Sequence, residues 1–235
     1  MLAFRYPLGR ELRHCRRPDH VLHTVKWWRD YRSWRGRRPL VKEPHAVFSV
    51  DWFARRLQSD VVVTVRHPAA VVASWKRLGW SFDFGNVLEQ PALMRETLAP
   101  FEQEMRDALD PSFDAVDRIS LLWRIVYVIV DEMRERHPGV HLVRQEDLSQ
   151  SPAAGFRELY RKVGLCFGDA AEAAVSSSSR AGNPEETSVE RPHATTLDSA
   201  ANLRNWRRRL TEEEIARIRA VTRDAAARYY TADDW

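Results

Sequence analysis

The chain has 235 residues, with 44% apolar and 30% charged residues and nine tryptophans, a balance that excludes a disordered chain and predicts one sizeable core. Its net charge of +4 is unevenly placed, because residues 1–38 hold eleven Lys/Arg against three Asp/Glu and leave the remainder net acidic. No apolar run approaches the roughly 20 residues of a membrane span and no signal-peptide core opens the chain, so a cytoplasmic location is expected.

A single domain over 1–235 is expected, with a basic helical arm at 1–38 and a core at 39–235. In the arm, HTVKWWRDYRSWRGRR places Trp27, Tyr31 and Trp34 on one helical face, which predicts inward packing. Arginine interleaved with Trp and Tyr also fits a platform for nucleic acid. LVKEP reads as a short strand closed by Pro44, followed by a helix with Val47, Val50, Phe53, Ala54 and Leu57 at helical intervals.

VVVTV at 61–65 is a continuous apolar strand of the kind buried in parallel sheets, and PAAVVASWKRL after it is a helix with Pro68 in its first turn. Residues 79–111 are weakly patterned and expected to cover one face of the sheet, with a helix in PFEQEMRDAL. Residues 115–136 form a long, mostly buried helix stopped by His137-Pro138-Gly139, and VHLVR follows as a further strand.

QEDLSQSPAAGFRELYRKVGL reads as a capped helix, with Asp147 or Ser149 as the cap and Phe156, Leu159, Tyr160 and Val163 as its stripe. Residues 176–201, opening on four serines, are expected to be a long loop. A closing helix begins at the capping box of Thr211 and Glu214. Repeated strand–helix units predict an α/β fold, a three-layer, mainly parallel sheet flanked by helices.

In such sheets ligands bind beyond the carboxyl ends of the strands, where the next helix offers free N–H groups. Arg66 stands at that place, and Ser74 lies about two turns into the following helix, a spacing that suits a clamp on a phosphate. A surface ion pair for Arg66 and a tight helix contact for Ser74 explain the same residues. Lys42 holds the corresponding point of the preceding unit and could offset charge on a leaving group; a solvated strand end is the alternative.

Glu43, His45 and His67 are nearby groups able to take a proton, though each also has a plain structural reading. Asn202, Asn205, Trp206 and Arg207 to Arg209 form a basic aromatic cluster that could stack on a purine and hold phosphate oxygens, or serve as a basic turn before a helix. Cys15 and Cys166 have no zinc or disulfide spacing, and no metal is expected.

Four segments in order, PLVKEPHAVFS, VVVTVRHPAAVVASWKRLGW, VRQEDLSQSPAAGFRELYRKVGL and NLRNWRRRLTEEEI, resemble the sulfotransferases that use 3′-phosphoadenosine 5′-phosphosulfate (PAPS), in particular bacterial members of the P-loop-like α/β type. The likeness covers residues 39–235. It implies transfer of a sulfuryl group from PAPS, as co-substrate, to a hydroxyl or amine of a small-molecule or glycan acceptor. Arg66 and Ser74 would hold the 3′-phosphate, with Asn205, Trp206 and Arg207 in the element that closes over the nucleotide.

The family opens on a strand and a GxPRSGTT-type loop around the 5′-phosphosulfate, and none of the nine glycines of this chain forms one. MLAFRYPLGREL reads like mid-protein sequence, so a truncated or mis-started reading frame is expected, with weak nucleotide binding and little transfer. A non-catalytic nucleotide-binding or interaction module derived from such an enzyme is the second reading, and a nucleic-acid binder acting through the basic arm is the third.

Overall fold

The computed structural model describes residues 13, 18–33, 38, 40–43, 46–187 and 195–235. The chain divides into two compact units, Met1–Ala46 and Val47–Trp235. The first holds α1 (Pro18–Ser33), where a leading proline fits because a first-turn N–H has no helical partner. The side chains of Trp27 and Tyr31, and Trp34 and His45 entirely, lie outside the described residues.

The strand expected at LVKEP does not form: residues 40–43 are irregular, with Leu40 94% and Val41 65% exposed. A strand needs a ladder partner for its N–H and C=O groups, and among the described residues none pairs with these two apolar side chains.

The second unit runs in the order α2 (Val50–Arg56), β1 (Val61–Val65), α3 (Pro68–Arg77), α4 (Glu102–Asp107), α5 (Ala115–Arg136), β2 (Val140–Arg144), α6 (Gln145–Gln150), α7 (Pro152–Lys162), α8 (Asp169–Ser179) and α9 (Glu212–Ala226). Short helical turns fill 85–101, and a 3-10 segment, Ala201–Arg208, precedes α9. No helix among the described residues is long and apolar enough to cross a membrane.

β1 and β2 pair in parallel, with Val61 opposite Val140 and Val65 opposite Arg144. Parallel strands need a crossover, and the one here contains α3, α4 and α5. Val61, Val63 and Val140 pack with Ile125, Ile129 and Met133 of α5, while Val65 meets Trp123 and Tyr127 one to two turns earlier on the same helix. The buried stripe of α5 thus lies along one face of both strands.

The opposite face carries Val62, 40% exposed, and Thr64, also exposed. The fold is a helix-rich α/β arrangement, and among the described residues it has two strands and helices on one face, rather than the larger three-layer sheet expected. The reason is local: only VVVTV and VHLVR combine β-branched runs with a partner of matching length.

α3 packs on α5, α9 and the 3-10 segment through Ala69, Ala70, Val72 and Ala73, which sit with Val116, Ile119, Ile218, Trp206 and Leu210 in one cluster. Small side chains let these helices approach closely. The Thr211–Glu214 capping box is present in both directions at the start of α9. Arg217 of α9 donates to Asp114 and Asp117 at the start of α5, and Asp114 itself caps that helix by accepting from the Asp117 N–H.

Two further expectations change. Neither Asp147 nor Ser149 caps a helix; both lie inside α6, which starts directly after β2, and Ser151 is the N-cap residue of α7. The serine run is not a loop, because α8 extends through Ser179. Its Ser177, Ser178 and Ser179 hydroxyls donate back to the carbonyls of Ala174 and Val175, satisfying the serines within the helix.

Candidate functional site

The site is assembled at the carboxyl ends of the two strands. Val65, fully buried, closes β1, and Arg66 and His67 make the two-residue passage to Pro68, the first residue of α3. Because Val65 is in register with Arg144, the turn after β1 lies beside the start of α6.

The peptide joining Arg66 to His67 is held at both of its polar ends. Its carbonyl accepts from the Trp123 indole N–H at 2.9 Å, and its N–H donates to Oε1 of Glu146 at 2.8 Å. One residue before Val65, the Thr64 carbonyl accepts from the Tyr127 hydroxyl at 2.9 Å. The other Glu146 oxygen accepts from the Tyr230 hydroxyl at 3.0 Å. Burial pushes the Tyr127 phenol up to about 12 and raises that of Tyr230 further, so both donate as neutral groups.

Among the described residues no carboxylate lies within ion-pairing distance of the Arg66 guanidinium, and no hydrogen bond claims it. Burial lowers its pKa, the charge of Glu146 pulls the other way, and Arg209 opposes it as a second guanidinium close by. A partly buried guanidinium that no carboxylate pairs with directly bears a desolvation cost, and an anion placed against it offsets that cost. The Ser74 hydroxyl, partly buried on α3, is likewise unclaimed among the described residues. At 1.5 Å per residue it stands about 9 Å along the helix from Pro68.

His67 is 3% exposed, and neither ring nitrogen has a hydrogen-bond partner among the described residues. Its ring stacks on Trp206 with centroids 5.0 Å apart at 10°, and meets Tyr230 and Trp235 edge-on at 4.8 and 4.5 Å. Burial is the main cause of a pKa lowered to about 4, with Arg144, Arg207 and Arg66 adding to it against Asp234. The ring is therefore neutral at physiological pH and a poor candidate to accept a further proton.

The C-terminal cluster is brought to this place. Trp206 is 3% exposed and forms a wall of the site, its ring stacked on His67, rather than the open purine platform the sequence suggested. Asn205 is buried, donating to Asn202 and accepting from Arg208. Arg207 lies over the Trp206 ring at 5.2 Å and donates to the Trp235 carbonyl at 2.7 Å. Arg209 pairs with Glu186 and Arg208 with Glu185, tying this segment to the stretch after α8.

Lys42 and Glu43 belong to the first unit and are exposed on irregular backbone, so Lys42 does not end a strand as expected. Glu146, Tyr230, Trp123, Arg144 and Asp234 were not foreseen. Arg144 pairs with Asp234 at 3.0 Å beneath the site and lies over the Tyr230 ring. The signal for Glu146 was present, since a carboxylate two residues past a parallel strand end stands where ligands bind; the signal for Tyr230, 84 residues later, was not.

No group of three or more His, Cys, Asp or Glu side chains able to hold a metal occurs among the described residues. Fold and site together define a helix-rich α/β protein with Arg66, Arg144 and a group of aromatic rings gathered at the carboxyl ends of its two parallel strands. Compared with protein-family models, with curated proteins and with solved structures, the chain matches none.

Proposed function

We propose that the protein binds the 3′-phosphate of PAPS and belongs to the sulfuryl-transfer enzymes, with Arg66 and Ser74 as the phosphate clamp. The observation carrying this reading is the Arg66 guanidinium, partly buried at the end of a parallel strand with no carboxylate within ion-pairing distance among the described residues. Its planar fork suits two phosphate oxygens, and the Ser74 hydroxyl can donate to a third.

In the transfer, the acceptor oxygen or nitrogen forms a bond to sulfur as the bond from sulfur to the 5′-phosphate oxygen breaks, and the acceptor loses its proton. Asn205, Trp206 and Arg207 shape the wall nearest the nucleotide, with Arg207 the one cation among them.

Calorimetry with adenosine 3′,5′-bisphosphate and adenosine 5′-monophosphate tests the reading. The wild-type chain is expected to prefer the bisphosphate, and Arg66→Ala to weaken that ligand about 100-fold, the worth of a charge-assisted bidentate contact. Equal affinity for the two nucleotides, or an unchanged affinity in Arg66→Ala, overturns it. A sulfuryl-transfer assay on the same samples separates an enzyme from a non-catalytic nucleotide-binding module.

A further inference from the structure

We infer that Glu146 is a positioning residue for the Arg66 clamp, holding its peptide in place while leaving its guanidinium free for an anion; the inference deepens the proposed 3′-phosphate site and rests on it. The geometry supports three steps. The Glu146 carboxylate grips the Arg66–His67 peptide at its N–H, 2.8 Å away, opposite the Trp123 indole that grips the carbonyl of the same peptide. A peptide plane fixed at both ends has little freedom to rotate, so the direction in which the Arg66 side chain leaves the turn is fixed with it.

Both Glu146 oxygens are already engaged, one by the His67 N–H and one by the Tyr230 hydroxyl. The carboxylate is thus near enough to favour the charged form of Arg66, yet among the described residues it makes no ion pair with it. A carboxylate turned directly onto the guanidinium would occupy the donors a phosphate needs. Tyr230 prevents that by holding the second oxygen, and its own place is fixed by the His67 ring and by Arg144.

Substitution separates hydrogen bonding from charge. Glu146→Gln can still accept from the His67 N–H and can turn its amide N–H toward the Tyr230 oxygen, while the negative charge beside Arg66 is gone. Glu146→Ala loses both bonds. Affinity for adenosine 3′,5′-bisphosphate is expected to fall about tenfold in Glu146→Ala, the worth of one to two net hydrogen bonds. It should stay at the wild-type level or rise in Glu146→Gln, and Tyr230→Phe should weaken it less than Glu146→Ala does.

Equal losses in the Ala and Gln variants, or no loss in either, overturn the positioning role. A second measurement is independent of the nucleotide: phenylglyoxal labelling of Arg66, followed by peptide mass mapping of the ligand-free full chain. Labelling is expected to quicken several-fold in Glu146→Ala and to stay at the wild-type rate in Glu146→Gln. If wild type binds no bisphosphate, the 3′-phosphate reading fails while the labelling rates still decide the role of Glu146, and identical rates in all three chains refute it.

Discussion

The two ends of the parallel strand pair handle charge in opposite ways. At the amino end, His137 meets Asp51 at 2.6 Å and His141 meets Asp60 at 3.1 Å, around a hollow lined in part by Gln58, Ser59 and Gly139. Every one of these four side chains has its partner. At the carboxyl end Arg66 is left without a carboxylate and both His67 nitrogens are left without a hydrogen bond, inside a shell of aromatic rings. Burying both His67 nitrogens without a hydrogen bond costs stability, and together with an Arg66 that no carboxylate pairs with it makes the carboxyl end the better candidate for a ligand.

The largest effect expected from breaking this contrast comes from the aromatic wall. Trp206→Ala removes a buried ring from the His67 stack and the α3 cluster, and should cost about 3–5 kcal/mol in urea unfolding. A loss below 1 kcal/mol would show that the wall is not packed as described.

Next is the pH response of His67. Its pKa is depressed from 6.5 to about 4 in the folded chain. Between these values the unfolded chain binds the proton and the folded chain resists it, so stability falls as pH drops through that window. For this residue alone the loss from pH 7.5 to pH 5 is about 2 kcal/mol, from the linkage of one shifted group. Unfolding midpoints of His67→Phe should change less over the same interval; an identical change in both chains refutes the assignment.

The amino end should respond least and at lower pH. The hydrogen bond from His137 holds the Asp51 carboxyl below its usual 3.8, so its contribution is present above that value and is lost only as pH falls through the lower folded pKa. At neutral pH His137→Ala should cost about 0.5–1 kcal/mol, the range of a partly exposed pair, and should leave nucleotide affinity unchanged. A nucleotide defect in that variant would break the division between the two ends.

Much of this was legible in the strings themselves. The run VVVTV followed by Arg-His-Pro announced a strand, a turn and a helix opening on proline, and those elements are found at Val61–Val65 and Pro68–Arg77, though the strand's Val62 and Thr64 face is exposed where burial on both faces was expected. Thr211 with Glu214, and the apolar stripe of residues 115–136, were equally local signals, because capping and periodicity are written in neighbouring residues. LVKEP misled because two apolar residues resemble a strand start, whereas a strand exists only where a partner lies alongside. The serine run misled because hydroxyl-to-carbonyl bonding within the helix makes serine tolerable there.

Sequence alone therefore determined α2, β1, α3, α5, β2 and α9 in their order, and the presence of Arg66 at a strand end, since these depend on contacts within a few residues, whereas the split of 145–162 into α6 and α7 and the helix α8 were not read from it. Tertiary structure decided what Arg66 is. Trp123, Glu146, Trp206, Tyr230 and Trp235 come to its turn from separate parts of the chain, and neither propensity nor periodicity carries information about partners that distant. Only their arrival shows that the peptide of Arg66 is held while its charged group, among the described residues, is not.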